Sequence, residues 1–277
     1  MRIHGAILVL MAILSPLSMT GPALAGPVED ASEALGRGDF KTAFELFAPL
    51  AEQGDALAQF NLGLMYESGK GVRQNDTEAA KWYRKAAENG IAVARFNLAL
   101  MYQNGKGVPQ DYAEAAKWYR MAAEQGNAKA QSNLGIMYQY GKGVPQDYAE
   151  AAIWYRMAAE RGNGPAQANL CLMYHYGKGV LQDDAEAAKW CQMAAEQGLA
   201  ESQFNLALMY ENGKGVPQDY VLAHLWFDLA ASRFPASQPE MREKAVKNRD
   251  NIASRMTPAH IAEARRLARE WKPKVEK

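Results

Sequence analysis

Gly-Lys-Gly-Val recurs at Gly69–Val72, Gly105–Val108, Gly141–Val144, Gly177–Val180 and Gly213–Val216, at an unbroken interval of 36 residues. A fixed period of this size is the signature of a solenoid, in which each unit is one supersecondary element that cannot bury its apolar face alone. Stacked units form curved, extended surfaces, and such surfaces mostly hold other molecules. The period sets the fold class before any catalytic motif is weighed.

The unit from Ala92 to Gly126 reads as two helices and a loop. Ala94, Leu98, Met101 and Tyr102 share one helical face. Gly105 is a stop that tolerates a left-handed backbone. Gly107 permits a second unusual turn conformation, Val108 plugs apolar space under the loop, and Pro109 cannot extend the first helix. Asp111 caps the second helix, with Glu114 three residues on in a capping-box arrangement. Ala115, Trp118, Tyr119, Ala122 and Ala123 form its buried stripe, and Gly126 ends it.

The other units follow suit. The cap reads Asn75, Asp111, Asp147, Asp183, Asp219, and the aromatic reads Trp82, Trp118, Trp154, Trp190, Trp226. Paired alanines let two helices approach closely, while Trp and Tyr fill the space between neighbouring pairs. The repeated Trp is therefore expected at each helix-pair junction, and Trp154, in the middle unit, is expected to be costly to remove. Five full units span residues 56–232. Residues 26–55 form a partial unit, with Asp39 capping a helix over residues 40–53 and Ala31–Leu35 as a shortened partner. Residues 233–277 break the period. Helices over Glu240–Met256 and Ala259–Trp271 are expected there, the second capped by Thr257-Pro258, with Ile261, Ala264, Ala268 and Trp271 on one apolar face. They would cover the end of the stack, which needs a soluble outer surface.

The recurring Leu-Gly-x-Met-Tyr, Gly-x-Gly-Val, Asp-x-x-x-Ala and Trp-Tyr-x-x-Ala-Ala resemble the Sel-one-like repeat family, relatives of the tetratricopeptide repeat, over about residues 28–232. The resemblance implies an all-α fold, a right-handed α/α superhelix of antiparallel helix pairs. It also implies a protein-binding adaptor without chemistry of its own, whose first helices line a concave groove. Bacterial exported members resemble regulators or assembly factors of the cell envelope.

Residues 1–25 read as a signal peptide. Arg2 precedes an apolar run from Ala6 to Leu14, too short to span a bilayer, and Ala23-Leu24-Ala25 supplies the small-x-small cleavage pattern. The expected mature chain starts at Gly26 and is periplasmic or secreted, with no membrane insertion after cleavage. The full chain balances 31 basic against 31 acidic residues, and cleavage removes only Arg2 from that balance. Nothing in it attracts nucleic acid or an anionic membrane. The expected partner is a protein or peptide in the cell envelope, and no cofactor is implied.

Positions that differ between units are the candidates for specificity. On the first helices these are Phe60, Phe96 and Phe204, the cationic Arg95, and Tyr140 and Tyr176 near the helix ends, where other units have Ser68, Asn104 and Asn212. The three Phe serve either a partner or packing between units. An invariant row, Asn61, Asn97, Asn133, Asn169 and Asn205, offers donor and acceptor to a peptide backbone, or else bonds a neighbouring helix or loop. The loop lysines Lys70, Lys106, Lys142, Lys178 and Lys214 lack the order of a phosphate-binding loop and read as solvated.

Cys171 and Cys191 both fall in the fourth unit, at a small-residue position and a Tyr position. A disulfide is one reading in an exported chain. Against it, the small residue is expected to face the alanine of the second helix, about one turn from Cys191, beyond the roughly 7 Å Cα reach of a bridge. The alternative is two small buried thiols. Ser-x-x-Lys, Gly-x-Ser-x-Gly and His-Glu-x-x-His do not occur, and His175, His224 and His260 fall in three separate contexts, so no catalytic or metal site is expected. The rival reading is a β-lactam or peptidoglycan hydrolase, as described for cysteine-rich relatives, whose regular cysteine pairs this chain lacks.

Overall fold

The computed structural model describes residues 26–274, so the signal-peptide reading lies outside the described residues. Among them are fourteen helices and no strand. Helices α1 (Pro27–Gly36) and α2 (Phe40–Glu52) form the partial unit. Five full pairs follow: α3 (Ala56–Ser68) with α4 (Asp76–Glu88), α5 (Ala92–Asn104) with α6 (Tyr112–Glu124), α7 (Ala128–Tyr140) with α8 (Tyr148–Glu160), α9 (Gly164–Tyr176) with α10 (Asp184–Glu196), and α11 (Ala200–Asn212) with α12 (Tyr220–Arg233). Helices α13 (Pro239–Ala253) and α14 (Pro258–Glu270) complete the chain. Each first helix packs on its own partner, and each second helix packs on the first helix of the next unit.

The helices start and stop where local chemistry dictates. Asn75, Asp111, Asp147, Asp183 and Asp219 each accept two backbone N–H bonds at the start of a second helix. The Glu at the capping-box position turns outward instead: Glu78, Glu114 and Glu186 pair with Lys81, Lys117 and Lys189. Each first helix ends at a left-handed glycine, Gly141 for α7 at φ +65°.

The Gly-Lys-Gly-Val loop is a clip between units. Its second glycine lies against the start of the preceding second helix, where a Cβ on Gly143 would sit 2.1 Å from the Tyr112 carbonyl oxygen. Its valine tucks against the core, as expected. Its lysine reaches the same neighbouring helix. Lys106 bonds Glu67 and Asp76, Lys142 and Lys178 lie over the rings of Tyr112 and Tyr148, and Lys70 lies over Phe40. These four lysines are therefore packing elements and not merely solvated.

The core is a spine of alanines, packed in the first three full units around one tyrosine each and in the last two around Cys191 and Phe227. Tyr83, Tyr119 and Tyr155 are fully buried. Their hydroxyls donate to Glu67, Gln103 and Gln139 at 2.7–2.8 Å, and burial pushes each phenol above its ordinary range. Trp118, Trp190 and Trp226 are buried as expected, whereas Trp82 and Trp154 are only half-buried, and the buried Nε1 of Trp118, Trp154 and Trp190 has no partner. Arg84, Arg120 and Arg156 reach across to hydrogen-bond Tyr102, Tyr138 and Tyr174 of the next unit.

The C-terminal helices α13 and α14 both pack on α12. Thr257 Oγ1 accepts from the His260 N–H, Ala264 is buried, and the Trp271 ring packs edge-on against Trp226 with Arg233 over its face. On α12, His224 is 2% exposed, and burial holds its imidazole below the ordinary histidine range. The unfolded chain therefore takes up this proton first as pH falls below about 6.5. The stabilisation is present above that pH and is lost on acidification. Denaturant titrations at pH 7.5 and 5 should show His224→Leu losing less stability than the unmodified chain. Equal losses would contradict this.

Candidate functional site: the first-helix face

The structure distributes the predicted site residues among different tasks. Tyr140 and Tyr176 are the last residues of α7 and α9 and are 62% and 63% exposed. They occupy equivalent positions on consecutive units. The three phenylalanines are half-buried and also pack inward. Phe60 lies against Tyr83, Phe96 against Tyr119 and Phe204 against Phe227, at ring separations of 5.3–5.9 Å. Half of each side chain therefore serves packing within its own unit.

Arg95 does not stand free as a groove cation. Its Nε donates to the Ala87 carbonyl at 2.9 Å, and Nη1 approaches the Met121 carbonyl. Gln59, Gln131, Gln167 and Gln203 occupy the equivalent position and donate to Ala51, Ala123, Ala159 and Ala195. All five side chains bond a carbonyl near the C-terminal end of the preceding second helix, whose last carbonyls have no intrahelical partner. A charge reversal at Arg95 would thus damage folding along with any binding.

The asparagine row is not uniform either. Asn61 is buried and donates to the Leu57 carbonyl of its own helix. Asn97, Asn133, Asn169 and Asn205 are half-buried, with Asn97 and Asn133 near the hydroxyls of Tyr83 and Tyr119 in the preceding units. Asn61 follows the packing alternative.

Cys171 and Cys191 form a disulfide, with Cα atoms 5.1 Å apart. The small residue does not face the alanine of the second helix. It faces the tyrosine twenty residues on: a Cβ on Gly63 would meet the Tyr83 ring, and one on Gly135 the Tyr155 ring. Residues 171 and 191 are that same pair, so a Gly–Tyr contact has become a Cys–Cys bond. The signal was in the period, since both positions are exchanged together in one unit. In the chain-entropy model, closing a loop of this sequence separation of 20 stabilises by about 3 kcal/mol. Reduced protein should lose about that much in a denaturant melt; no change on reduction would contradict it.

Two clefts open between consecutive first helices. One, of about 230 Å³, lies between α5 and α7 and is lined by Gln103, Asn133 and Lys142 among others. The other, of about 270 Å³, lies between α9 and α11 beside the disulfide and Tyr176. His175 lines the second cleft and bonds Asp184 at 2.7 Å, while His224 is buried on α12 and His260 is exposed on α14.

A family model for the Sel1 repeat matches residues 33–55, 56–91, 92–127, 128–163, 164–199 and 200–233. A solved Sel1 repeat protein from Oxalobacter formigenes is 33% identical with a TM-score of 0.74, covering 88% of this chain and 99% of that one. The protective antigen c5321 of uropathogenic Escherichia coli is 30% identical over 88% of this chain and 68% of its own, with a TM-score of 0.41. A Klebsiella pneumoniae Sel1 repeat protein is 22% identical over 76% and 99%, with a TM-score of 0.43. Among curated proteins, none matches the sequence.

Proposed function

We propose, from the premise that the chain belongs to the Sel1 repeat family, that it is an exported adaptor binding a protein or peptide of the cell envelope on its first-helix face. Sel1 repeat proteins generally mediate protein–protein interaction. One observation carries the reading to a site: Tyr140 and Tyr176, at equivalent positions of adjacent units, are mostly exposed while the other tyrosines of the first helices are buried or half-buried. Exposed aromatics on a rigid scaffold have the composition of interface hot spots. Export is supported by the Ala23-Leu24-Ala25 pattern and by the disulfide, which persists in oxidising compartments. No described helix is long and apolar enough to cross a membrane.

Affinity capture from an envelope extract tests the reading. Tyr140→Ala combined with Tyr176→Ala should weaken the captured complex by about 2 kcal/mol or more. The thermal melt should be nearly unchanged, because neither ring is in the core. Leu181→Ala, at an exposed loop residue off the first helices, serves as the control. If the control abolishes binding while the double variant binds normally, the site is on the loop edge. No observation favours the hydrolase reading; hydrolysis of a chromogenic β-lactam by the purified protein would restore it.

A further inference from the structure

The last of the five second helices carries an ionisable residue where the others carry alanine. Ala80, Ala116, Ala152 and Ala188 hold equivalent places on α4, α6, α8 and α10, and His224 holds that place on α12. All five are buried, His224 at 2% exposure. Each of α4, α6, α8 and α10 packs on the first helix of the next unit, whereas α12 packs on α13 and α14. The histidine of the column thus stands at the one junction that the repeat does not build.

The site tolerates only an uncharged ring. The Nδ1 of His224 is buried and has no hydrogen-bond partner. A neutral imidazole can leave that nitrogen bare, but an imidazolium carries N–H on both nitrogens, so protonation would strand a buried donor. The surrounding charges give no relief. Asp228 stands one turn on along α12, α13 contributes Arg249 and Asp250, and α14 contributes Arg265. Arg249 bonds Asp228 at 2.7 Å and Asp250 at 2.9 Å, so both carboxylates already have a cation. On α11, which also packs on α12, Glu201 accepts from Gln238, and Glu211 has the register of Glu67, opposite Phe227 instead of His224.

The two C-terminal helices are the lightly held side of this junction. Ala245 and Ile252 on α13 and Ala264 on α14 are their buried residues, against five or six on each of α4, α6, α8 and α10. Few buried apolar contacts mark a segment of low local stability.

We propose that His224 is an acid-operated latch: while neutral it holds α13 and α14 against α12, and its protonation releases the two helices and opens that face of α12 to solvent. In the preceding units the second helix is covered by the next first helix, so release leaves an uncovered junction at this end of the stack. The proton goes to the released form, where the exposed imidazole has an ordinary value of about 6.5. Release is therefore favoured as pH falls below that value and suppressed above it. The latch does not depend on where a partner binds.

Hydrogen exchange of the mature chain at pH 7.5 and pH 5, with exposure times scaled for the intrinsic chemical rate, tests the latch. Amides of α13 and α14 should lose about tenfold in protection at pH 5, because an exposed imidazole is almost wholly charged there, while α4 to α10 stay unchanged. His224→Ala restores the residue of the other four units, and His224→Gln keeps a polar side chain that cannot charge; both should remove the pH response. His260→Gln, at an exposed residue of α14, should retain it. Unchanged protection of α13 and α14 at pH 5, an equal loss in every helix, a response that survives in both His224 variants, or one that is lost in His260→Gln would overturn the proposal. So would loss of protection at both pH values in both His224 variants, which would make His224 a packing residue only.

Discussion

Gly143→Ala is expected to destabilise the protein by about 2–5 kcal/mol, far more than its exposed loop position suggests. Two effects add. At φ +71° an L side chain costs roughly 1–2 kcal/mol. The new Cβ would also lie 2.1 Å from the Tyr112 carbonyl oxygen and 2.7 Å from the Ala113 nitrogen. Those atoms belong to the first turn of α6, so relief requires sliding one unit against the next, an overpacking cost of about 1–3 kcal/mol. Gly141→Ala isolates the first effect. Its φ is +65°, but its Cβ would be no closer than 3.3 Å to Gln146. Its loss should be about 1–2 kcal/mol. Denaturant melts of the two variants decide the matter, and equal losses would show that the loop does not clip units together.

The second large effect concerns which aromatic holds a unit together. Tyr155→Ala should cost about 3–5 kcal/mol. The ring is fully buried against Gly135, and its hydroxyl donates to Gln139 at 2.7 Å. Removing it leaves a cavity and strands an acceptor. Trp154→Ala should cost about half as much, since Trp154 is half-buried and its Nε1 bonds nothing. Both losses should be largest in the middle units, because stability in a stack is a sum of nearest-neighbour interfaces. A larger loss from Trp154→Ala would reverse the assignment.

The architecture was legible because the chain contains its own replicates. Five copies of one grammar identify caps, stops and buried stripes without any outside comparison; the ends given for α2, α13 and α14 lie within three residues of the observed bounds, while α1 starts four residues earlier, at Pro27 instead of Ala31. The roles of side chains were less legible where two tasks share a residue type. Arg95 stands out as a lone cation in a column of glutamines, which suggests recognition; in space it does the glutamine's work of bonding a helix-end carbonyl. The loop lysines look solvated because their partners lie about thirty residues back, on the neighbouring unit. The sequence leaves the disulfide open between two readings for want of one rotational setting, namely which residue of the second helix faces Gly63 and its equivalents. Period fixes spacing along the chain, whereas the facing of two helices depends on packing that no single unit spells out.

The proposed binding surface is the first-helix face near the ends of α7 and α9. A photo-crosslinking amino acid placed in turn at Tyr140, Tyr176, Lys117 and Lys189 tests it most directly, the last two being exposed positions on second helices. In an envelope extract, positions 140 and 176 should give the same discrete crosslinked band, while 117 and 189 should give none. A band from 117 or 189 with silence at 140 and 176 would place the partner on the opposite face and contradict the account.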